Sequence, residues 1–421
     1  MSPHPAPEGA PAVIPPAPPS QARLGLSVGT ILSIFILALA LRWSAAMFLS
    51  QGIEYPDSMD FDSIAQSLVE GRGFRSMYGF GHCRGPVYPL LLAACRLVTP
   101  SHLAPRLLQG LLDSATALLL MVLAFQLGVG RLGIALVGLL YAINPYAIYF
   151  SRLLLSETLC LFLLVLTLTL FFGRCGSIPF TRGLIIGTVM GVTAMTRVVV
   201  LGVAGFLGLI ELLQSPRPIT ARLQSLAFMT LVGAMVLAPW VLRNHEVYGR
   251  WILVTPTDGI VLYESFNPHA DGGGRRLGDD WPAEFNHPNL AISNERHRAA
   301  ARAWLAKNPN KFWPLAWEKQ KRFWSPVPNV ETFRRWPYLL AGVYELPLLL
   351  LAGMGVVLAV VTRHSLAYLA PIVMYFPALH LVFFGSLRYR LPIEPLLCLF
   401  AAWSLESLVR RLSPQSGPLK G

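Results

Sequence analysis

The chain reads as an all-α polytopic membrane protein with about ten transmembrane helices, interfacial helices in its first outer loop and a small mixed outer segment. Three observations predict this. Of 421 residues, 54% are hydrophobic and only 13% charged, about half the charged share of an ordinary soluble domain. The stretches Leu24–Leu41, Leu132–Ser151, Leu223–Leu242 and Ser365–Leu387 contain no Asp, Glu, Lys or Arg, and runs of about 18 such residues span a hydrocarbon core of about 30 Å. The Lys and Arg behind the net charge of +12 are scattered between apolar runs rather than gathered into a patch. Positive residues flanking membrane helices produce that pattern, so no nucleic-acid partner is expected. A soluble enzyme, a collagen, a coiled coil and a small disulfide scaffold are excluded.

Each element follows in order. Residues 1–22 read as a disordered cytoplasmic tail, because the first 20 hold eight prolines and neither Lys nor Arg. The first apolar run lacks a small-residue cleavage site and reads as an uncleaved helix, with Arg42 and Trp43 at its outer, interfacial end. Residues 23–242 form an N-terminal transmembrane module whose outer loop, 47–105, is rich in acids and arginines. Leu107–Gly130, Leu132–Tyr149 and Thr158–Gly173 can each span. Gly183–Ile210 is uncharged except for Arg197. Since Arg174 and Arg182 on one side and Arg217 and Arg222 on the other both look cytoplasmic, an even number of crossings separates them. This predicts a hairpin with Arg197 at its apex. Its short arms, about 20 Å each at the helical rise, draw the apex below the membrane surface, where irregular backbone survives only against protein or a wet cavity.

Leu223–Leu242 then exits into an outer segment, residues 243–336. It opens with a strand-like stretch, Trp251–Tyr263, and a turn at Gly272–Gly274, followed by amphipathic helices over Asn294–Trp324 broken at Pro309. Residues 337–410 hold the C-terminal transmembrane helices, Pro337–Thr362, Ser365–Leu387 and Leu391–Val409, and 411–421 is a cytoplasmic tail. There is no inverted repeat of the kind many transporters carry. The five cysteines, Cys83, Cys95, Cys160, Cys175 and Cys398, form no CxxC pair and suggest neither a metal site nor a redox site.

Four charged clusters fall on the outer side of this topology. Tyr55-Pro56-Asp57-Ser58-Met59-Asp60-Phe61-Asp62 runs into a helical stretch, Ser63–Gly71. Asp57 stands where an N-cap would stand, but capping explains one acid and not three. Cys83-Arg84-Gly85-Pro86-Val87-Tyr88-Pro89-Leu90 sets an arginine ahead of an apolar segment, Val87–Val98, too short to span and expected to lie along the interface. Ser156-Glu157-Thr158 begins a span, where a carboxylate also suits the helix dipole. Ser386-Leu387-Arg388-Tyr389-Arg390-Leu391-Pro392-Ile393-Glu394 opens the last span with two arginines on the side where positive charge is scarce. Ionisable groups at membrane depth are functional candidates, whereas Asp113 and Glu345, within spans, read as helix–helix contacts. Carboxylates facing arginines suit transfer from a phosphate-linked donor. Guanidinium forks hold the phosphate leaving group, and a carboxylate removes a proton from the acceptor.

These residues resemble the C superfamily of membrane glycosyltransferases, in particular the branch with the protein O-mannosyltransferases and the lipid A aminoarabinose transferase. In that branch an acid in the first outer loop leads into Y/F-x-x-x-A-x-x-L-x-x-G-x-G-F, matched by Asp57, Phe61, Ala65, Leu68, Gly71, Gly73 and Phe74. Arg84-Gly85-Pro86-Val87-Tyr88-Pro89-Leu90-Leu91-Leu92-Ala93 is similar to R-P-P-G-Y-P-L-L-L-A, with departures at Gly85 and Val87. Ser156-Glu157-Thr158-Leu159 resembles the second-loop acid, with Glu where other members carry Asp. Thr196-Arg197, Pro239-Trp240-Val241-Leu242-Arg243-Asn244 with Tyr248-Gly249-Arg250, and Arg388-Tyr389-Arg390-Leu391-Pro392 resemble further elements, so the likeness runs from about residue 24 to 410.

The resemblance implies an integral-membrane inverting glycosyltransferase of the bacterial inner membrane, a hexosyl- or pentosyltransferase with its active site on the outer face. It would take a polyprenyl-phosphate sugar as donor and a lipid, glycan or protein as acceptor. Asp57 would be the catalytic carboxylate and Glu157 the second acid, orienting a metal or a substrate amine or hydroxyl. Arg84, Arg197, Arg388 and Arg390 would face the donor phosphate, with Asp60, Asp62, Tyr88 and Tyr389 as further substrate-binding candidates. A divalent metal stays open as a cofactor, because Asp60-Phe61-Asp62 sits out of register for the usual acid pair. Two alternatives stand beside this reading: a transporter or flippase of an anionic lipid, and a lipid-linked glycan ligase or polymerase.

Overall fold

The computed structural model describes residues 25–49, 52–53, 55–77, 84–173, 178–274, 282–328 and 335–412. Both expected tails, 1–22 and nearly all of 411–421, lie outside these residues, as do Cys83 and Cys175. The described elements are helical, and those long and apolar enough to cross a membrane are α1 (Val28–Phe48), α4 (Leu103–Gln126), α10 (Ile219–Tyr248), α14 (Arg335–Val361, apolar from Leu339) and the C-terminal run Leu387–Leu412. The bent pair α5 (Arg131–Ala142) and α6 (Pro145–Ser151) is long and apolar enough only when the two are taken together, across a bend of 48°. Shorter apolar helices are α3 (Val87–Val98), α7 (Glu157–Phe172), α9 (Leu201–Gln214) and α15 (Ala370–Leu379).

The first helix runs seven residues past the expected Leu41, which places Arg42 inside a span instead of at its interfacial end. A buried guanidinium needs partners. Arg42 Nε donates to Asp113 Oδ2 at 2.7 Å and its terminal nitrogens donate to the carbonyls of Ala142 (2.6 Å) and Tyr141 (3.0 Å), while the Tyr141 hydroxyl donates to Asp113 Oδ1 at 2.6 Å. Asp113 is thus a helix–helix contact, as expected. Glu345 on α14 likewise receives Arg390.

The expected single span Leu132–Tyr149 is broken. Pro145 has no N–H to continue the helix, and the Asn144 side chain accepts from the N–H groups of Tyr146 and Ala147, capping a new one bent by 48°. The hairpin around Arg197 is present. Helix α8 (Pro179–Thr196) ends there, Arg197 is extended at φ −149°, ψ 114°, and a 3-10 turn over Val198–Val200 leads into α9. The face of α8 bearing Gly183, Gly187 and Gly191 lets α10 approach closely: a Cβ at Gly187 would meet the Met229 carbonyl oxygen at 2.6 Å. Small residues four apart are how membrane helices pack. Centrally, α17 (Glu394–Leu412) is buried from Leu396 to Ala402.

Within residues 47–105, α2 (Pro56–Val69) and α3 form separate short helices. Within residues 243–336 the strand-like stretch is not a strand. The carbonyls of Ile252 and Val254 accept from the side chains of Asn244 (3.0 and 3.1 Å), and that of Val254 also from Trp240 (2.9 Å), so no ladder is needed. From Asp258 the chain turns helical as α11 (Asp258–Ser265), because Asn294 Oδ1 accepts from the N–H groups of Gly259 and Ile260 and caps its start. The amphipathic helices appear as α12 (Leu290–Lys307) and α13 (Phe312–Phe323), separated by a 3-10 turn at Pro309–Lys311. The expected span Ser365–Leu387 is also shortened: a 3-10 turn occupies Ser365–Leu369, α15 ends at Leu379, and residues 380–386 form an irregular strap before α16 (Leu387–Arg390).

If α10 is a complete crossing, a topology reporter fused after Arg217 and one fused after residue 270 report opposite sides of the membrane. The same side for both would remove the crossing.

Candidate active site

Five segments of the chain converge on one cavity of about 400 Å³, whose polar lining is Asp57, Arg84, Ser156, Thr196, Arg197, Arg388 and Tyr389. Asp57 comes from the first turn of α2. Tyr55 occupies the N-cap and Pro56 the first helical position, where its fixed φ suits a helix start. Asp57 is therefore not the N-cap expected from sequence, and its carboxylate is turned to arginines. Oδ1 accepts from Arg84 Nη2 at 2.6 Å and Oδ2 from Arg388 Nη1 at 2.5 Å. Burial alone would raise the Asp57 carboxyl, but the Arg388 and Arg84 guanidiniums hold it well below the ordinary carboxylate range.

Glu157 opens α7, where Oε1 accepts from Arg197 Nη1 at 2.6 Å and from Arg388 Nε. Its Oε2 is buried with no partner among the described residues. Arg388 therefore bridges the two acids, one from the first outer loop and one from α7. Arg84 also donates Nε to Asp60 Oδ2 at 2.6 Å, and Asp60 accepts from Ser76. Arg84 is set against Arg197 by contact between their neighbours: a Cβ at Gly85 would lie 2.0 Å from the Met195 carbonyl oxygen. The departure from the family pattern at Gly85 is thus a position where only glycine fits.

The Tyr389 ring lies 5.8 Å from the Arg197 guanidinium and packs on His380 and Phe384. The apolar lining is made by Val198, Val199, Phe376, Leu379 and Phe383, and Thr255, Thr257, Asp258 and Val261 from residues 243–336 complete it. Sequence reading missed these walls, because nothing in the spacing of residues 255–261 or 379–384 indicates that they meet.

Three predicted site residues stand elsewhere. Arg390 has no exposed surface. It pairs with Glu394 (2.7 Å) and Glu345 (2.8 Å) and donates to the carbonyls of Phe323 and Ser325, so it braces the core and does not face the cavity. Asp62 lies on another face of α2, held by Arg96 at 2.6 Å and His102 at 3.2 Å. Tyr88 is fully buried and donates to Gln109 Oε1 at 2.5 Å. Among the described residues no three His, Cys, Asp or Glu side chains converge at metal-binding spacing. A guanidinium already occupies the place between Asp57 and Glu157, so the residues present do not fit a divalent ion held by that pair.

Lys319 of α13 secures the strap that carries one wall. Its Nζ donates to the carbonyls of Val382 (2.7 Å) and Leu381 (3.4 Å) and lies 3.6 Å from the Phe266 ring centre. Burial pushes its ammonium down to about 7. The Gly385 N–H donates to the Gly272 carbonyl at 2.9 Å, fixing the strap's far end just before Arg388.

Two predictions follow from the arginines and acids. Arg390→Leu leaves two buried glutamates uncompensated and is expected to cost about 3–5 kcal/mol, whereas Arg388→Leu, beside an open cavity, costs less. Thermal unfolding in detergent measures both, and equal losses would contradict the division. For Asp57, whose native carboxyl is depressed, the unfolded chain binds the extra proton, so its stabilisation is present above the unfolded value of about 3.9 and lost as pH falls below it. The gap in unfolding temperature between wild type and Asp57→Asn should be constant from about pH 7 to 5 and shrink only below that. A gap that closes near neutrality would contradict the ionised assignment.

No protein-family profile matches the chain, and no curated protein matches it in sequence. Solved structures do. The apo oligosaccharyltransferase of Archaeoglobus fulgidus superposes with a TM-score of 0.55 at 11% identity, covering 92% of this chain and 51% of the archaeal one. The archaeal oligosaccharyltransferase AglB from the same organism, in complex with an inhibitory peptide and a dolichol-phosphate, gives 0.53 at 10% identity over 90% and 50%. ArnT from Cupriavidus metallidurans, bound to undecaprenyl phosphate, gives 0.44 at 14% identity over 91% and 79%, too loose a superposition to carry an argument. The chain spans about half the length of the archaeal structures it matches, and at these identities what is shared is the fold. That fold is the helical one seen in the archaeal oligosaccharyltransferase structures.

Proposed function

We propose that the chain is an inverting glycosyltransferase that moves a sugar from a polyprenyl-phosphate donor to a lipid, glycan or protein acceptor on the outer face of a bacterial inner membrane, with ten membrane crossings. The observation that carries the reading is the array in which Arg388 bridges Asp57 and Glu157 at the polar lining of a cavity that also has an apolar lining. The fold shared with a protein solved with dolichol-phosphate supports it.

In this reading the donor phosphate replaces carboxylates as the partner of Arg84, Arg197 and Arg388. A phosphate accepts from a guanidinium fork as a carboxylate does, so its arrival draws Arg84 and Arg388 from Asp57. The released carboxylate regains basicity and takes the proton from the attacking acceptor. The new glycosidic bond forms as the bond between anomeric carbon and phosphate oxygen breaks, and the electron pair leaves with the polyprenyl phosphate, whose charge the arginines hold. The unpartnered oxygen of Glu157 is available to an acceptor hydroxyl or amine. The apolar wall of Val198, Val199, Phe376, Leu379 and Phe383 suits the prenyl chain, and Tyr389 lies beside the phosphate end.

Purified protein given radiolabelled polyprenyl-phosphate sugar should move label off the lipid. Asp57→Asn, which keeps the shape and helix-start compatibility of Asp, should lower transfer by about 10²–10⁴ while the protein stays folded. Arg388→Lys should weaken donor use more than a surface Arg→Lys change, since Lys supplies a point charge and not a fork. Label that crosses a vesicle membrane while still attached to its lipid would favour the flippase, and wild-type transfer by Asp57→Asn would remove the proposed base.

A further inference from the structure

Helix α13 carries an unexplained edge. Trp313 and Trp317, four residues apart on one face, are 72% and 65% exposed, with exposed Lys321 one turn further along the same side. Lys321 is paired with Glu318 at the surface. Two indoles left bare to water on one helix face are costly, and a tryptophan pair beside a lysine is what the headgroup level of a bilayer selects.

The remaining side chains of the helix join it to the apolar bundle. Leu315, Ala316, Lys319 and Phe323 are buried. Gln320 Nε2 donates to the Pro377 carbonyl at 2.8 Å, in the last turn of α15, and Lys319 donates to the strap that follows. One turn earlier α15 exposes Met374 (56%), and the strap exposes Val382 (38%). The end of an apolar helix, with exposed apolar side chains of its own, is therefore bonded directly to α13. The strap's inner side, with His380, Phe383 and Phe384, lines the cavity.

We propose that α13 is a membrane-interface helix. Its Trp313–Trp317 edge enters the leaflet at the cavity's end of the bundle, with bilayer lipid as partner, and its Lys319 edge transmits that anchoring to the cavity wall formed by residues 380–386. The inference does not depend on which reaction the cavity performs.

The test uses the full chain in vesicles of phosphatidylcholine and phosphatidylglycerol. The emission of the two indoles is taken as the difference between wild type and Trp313→Phe/Trp317→Phe, which keeps both positions aromatic. Should the double variant fold poorly, the Trp317→Phe single variant supplies the same difference for one indole. The expected result is quenching by lipids brominated near the headgroup end of the acyl chain and weak quenching by aqueous iodide. Emission quenched by iodide as strongly as free tryptophan, and untouched by brominated lipid, overturns the proposal. Protection from both reagents would mean that a protein surface covers the edge, and overturns it equally.

Discussion

Arg388 is the side chain on which the rest of this site depends. Its guanidinium joins Asp57 of the first outer loop to Glu157 at the start of α7, across separations of 331 and 231 residues. Around it Arg84 adds Asp60 and Arg197 adds a second bond to Glu157. Three guanidiniums thus face three carboxylates, and the array is neutral without any substrate. A surplus of charge of either sign would be costly at membrane depth. Neutrality also sets the terms for a ligand, because an arriving anion must exchange for a carboxylate instead of filling an unmet need. Such exchange favours groups that match the fork geometry of carboxylate, as phosphate does.

Asp57, Arg197 and Arg388 each sit at or beside a break in regular backbone. Pro56 starts α2 one residue before Asp57. The chain leaves helical geometry at Arg197, and the strap 380–386 interrupts what would otherwise be a long span into Arg388. Unsatisfied backbone at membrane depth is tolerated only against protein or a wet cavity, and here the breaks surround the cavity. The helical bundle supplies rigidity, and α17, buried along most of its length, anchors the segment that begins with Arg388.

Much of this was legible in the sequence, because membrane spans and helix breaks leave signals in composition. The uncharged runs gave the helices, and the charge rule gave a hairpin at Arg197. What spacing could not resolve was the direction of each side chain. Arg388 and Arg390 are two residues apart and were read alike, yet one enters the cavity and the other the core. A signal was present in Glu394, four residues after Arg390, the spacing of an intrahelical pair. The cluster of Asp57, Asp60 and Asp62 divides in the same way. Asp57 and Asp60 are three apart and share a face of α2, whereas Asp62 turns away to Arg96. The strand expected over Trp251–Tyr263 failed for another reason: its extended half finds donors in Asn244 and Trp240, a long-range satisfaction that no local pattern reports.

The cavity's two walls come from different sources, and this bears on how the site is kept in register. The polar wall is cross-linked internally by its own ion pairs. Among the described residues the apolar wall along 379–384 makes no ion pair with the polar one and meets it through the Tyr389 ring. Its carbonyls are held from behind by Lys319, an ammonium buried without an acid among its named partners. An interior lysine that binds only carbonyl oxygens and a ring is a poor source of stability, since the cost of desolvating it exceeds what neutral acceptors return. Such a contact makes sense as a fixture of position. It fixes the strap six and seven residues before Arg388, so α13 and the arginine bridge constrain the same short stretch from its two ends.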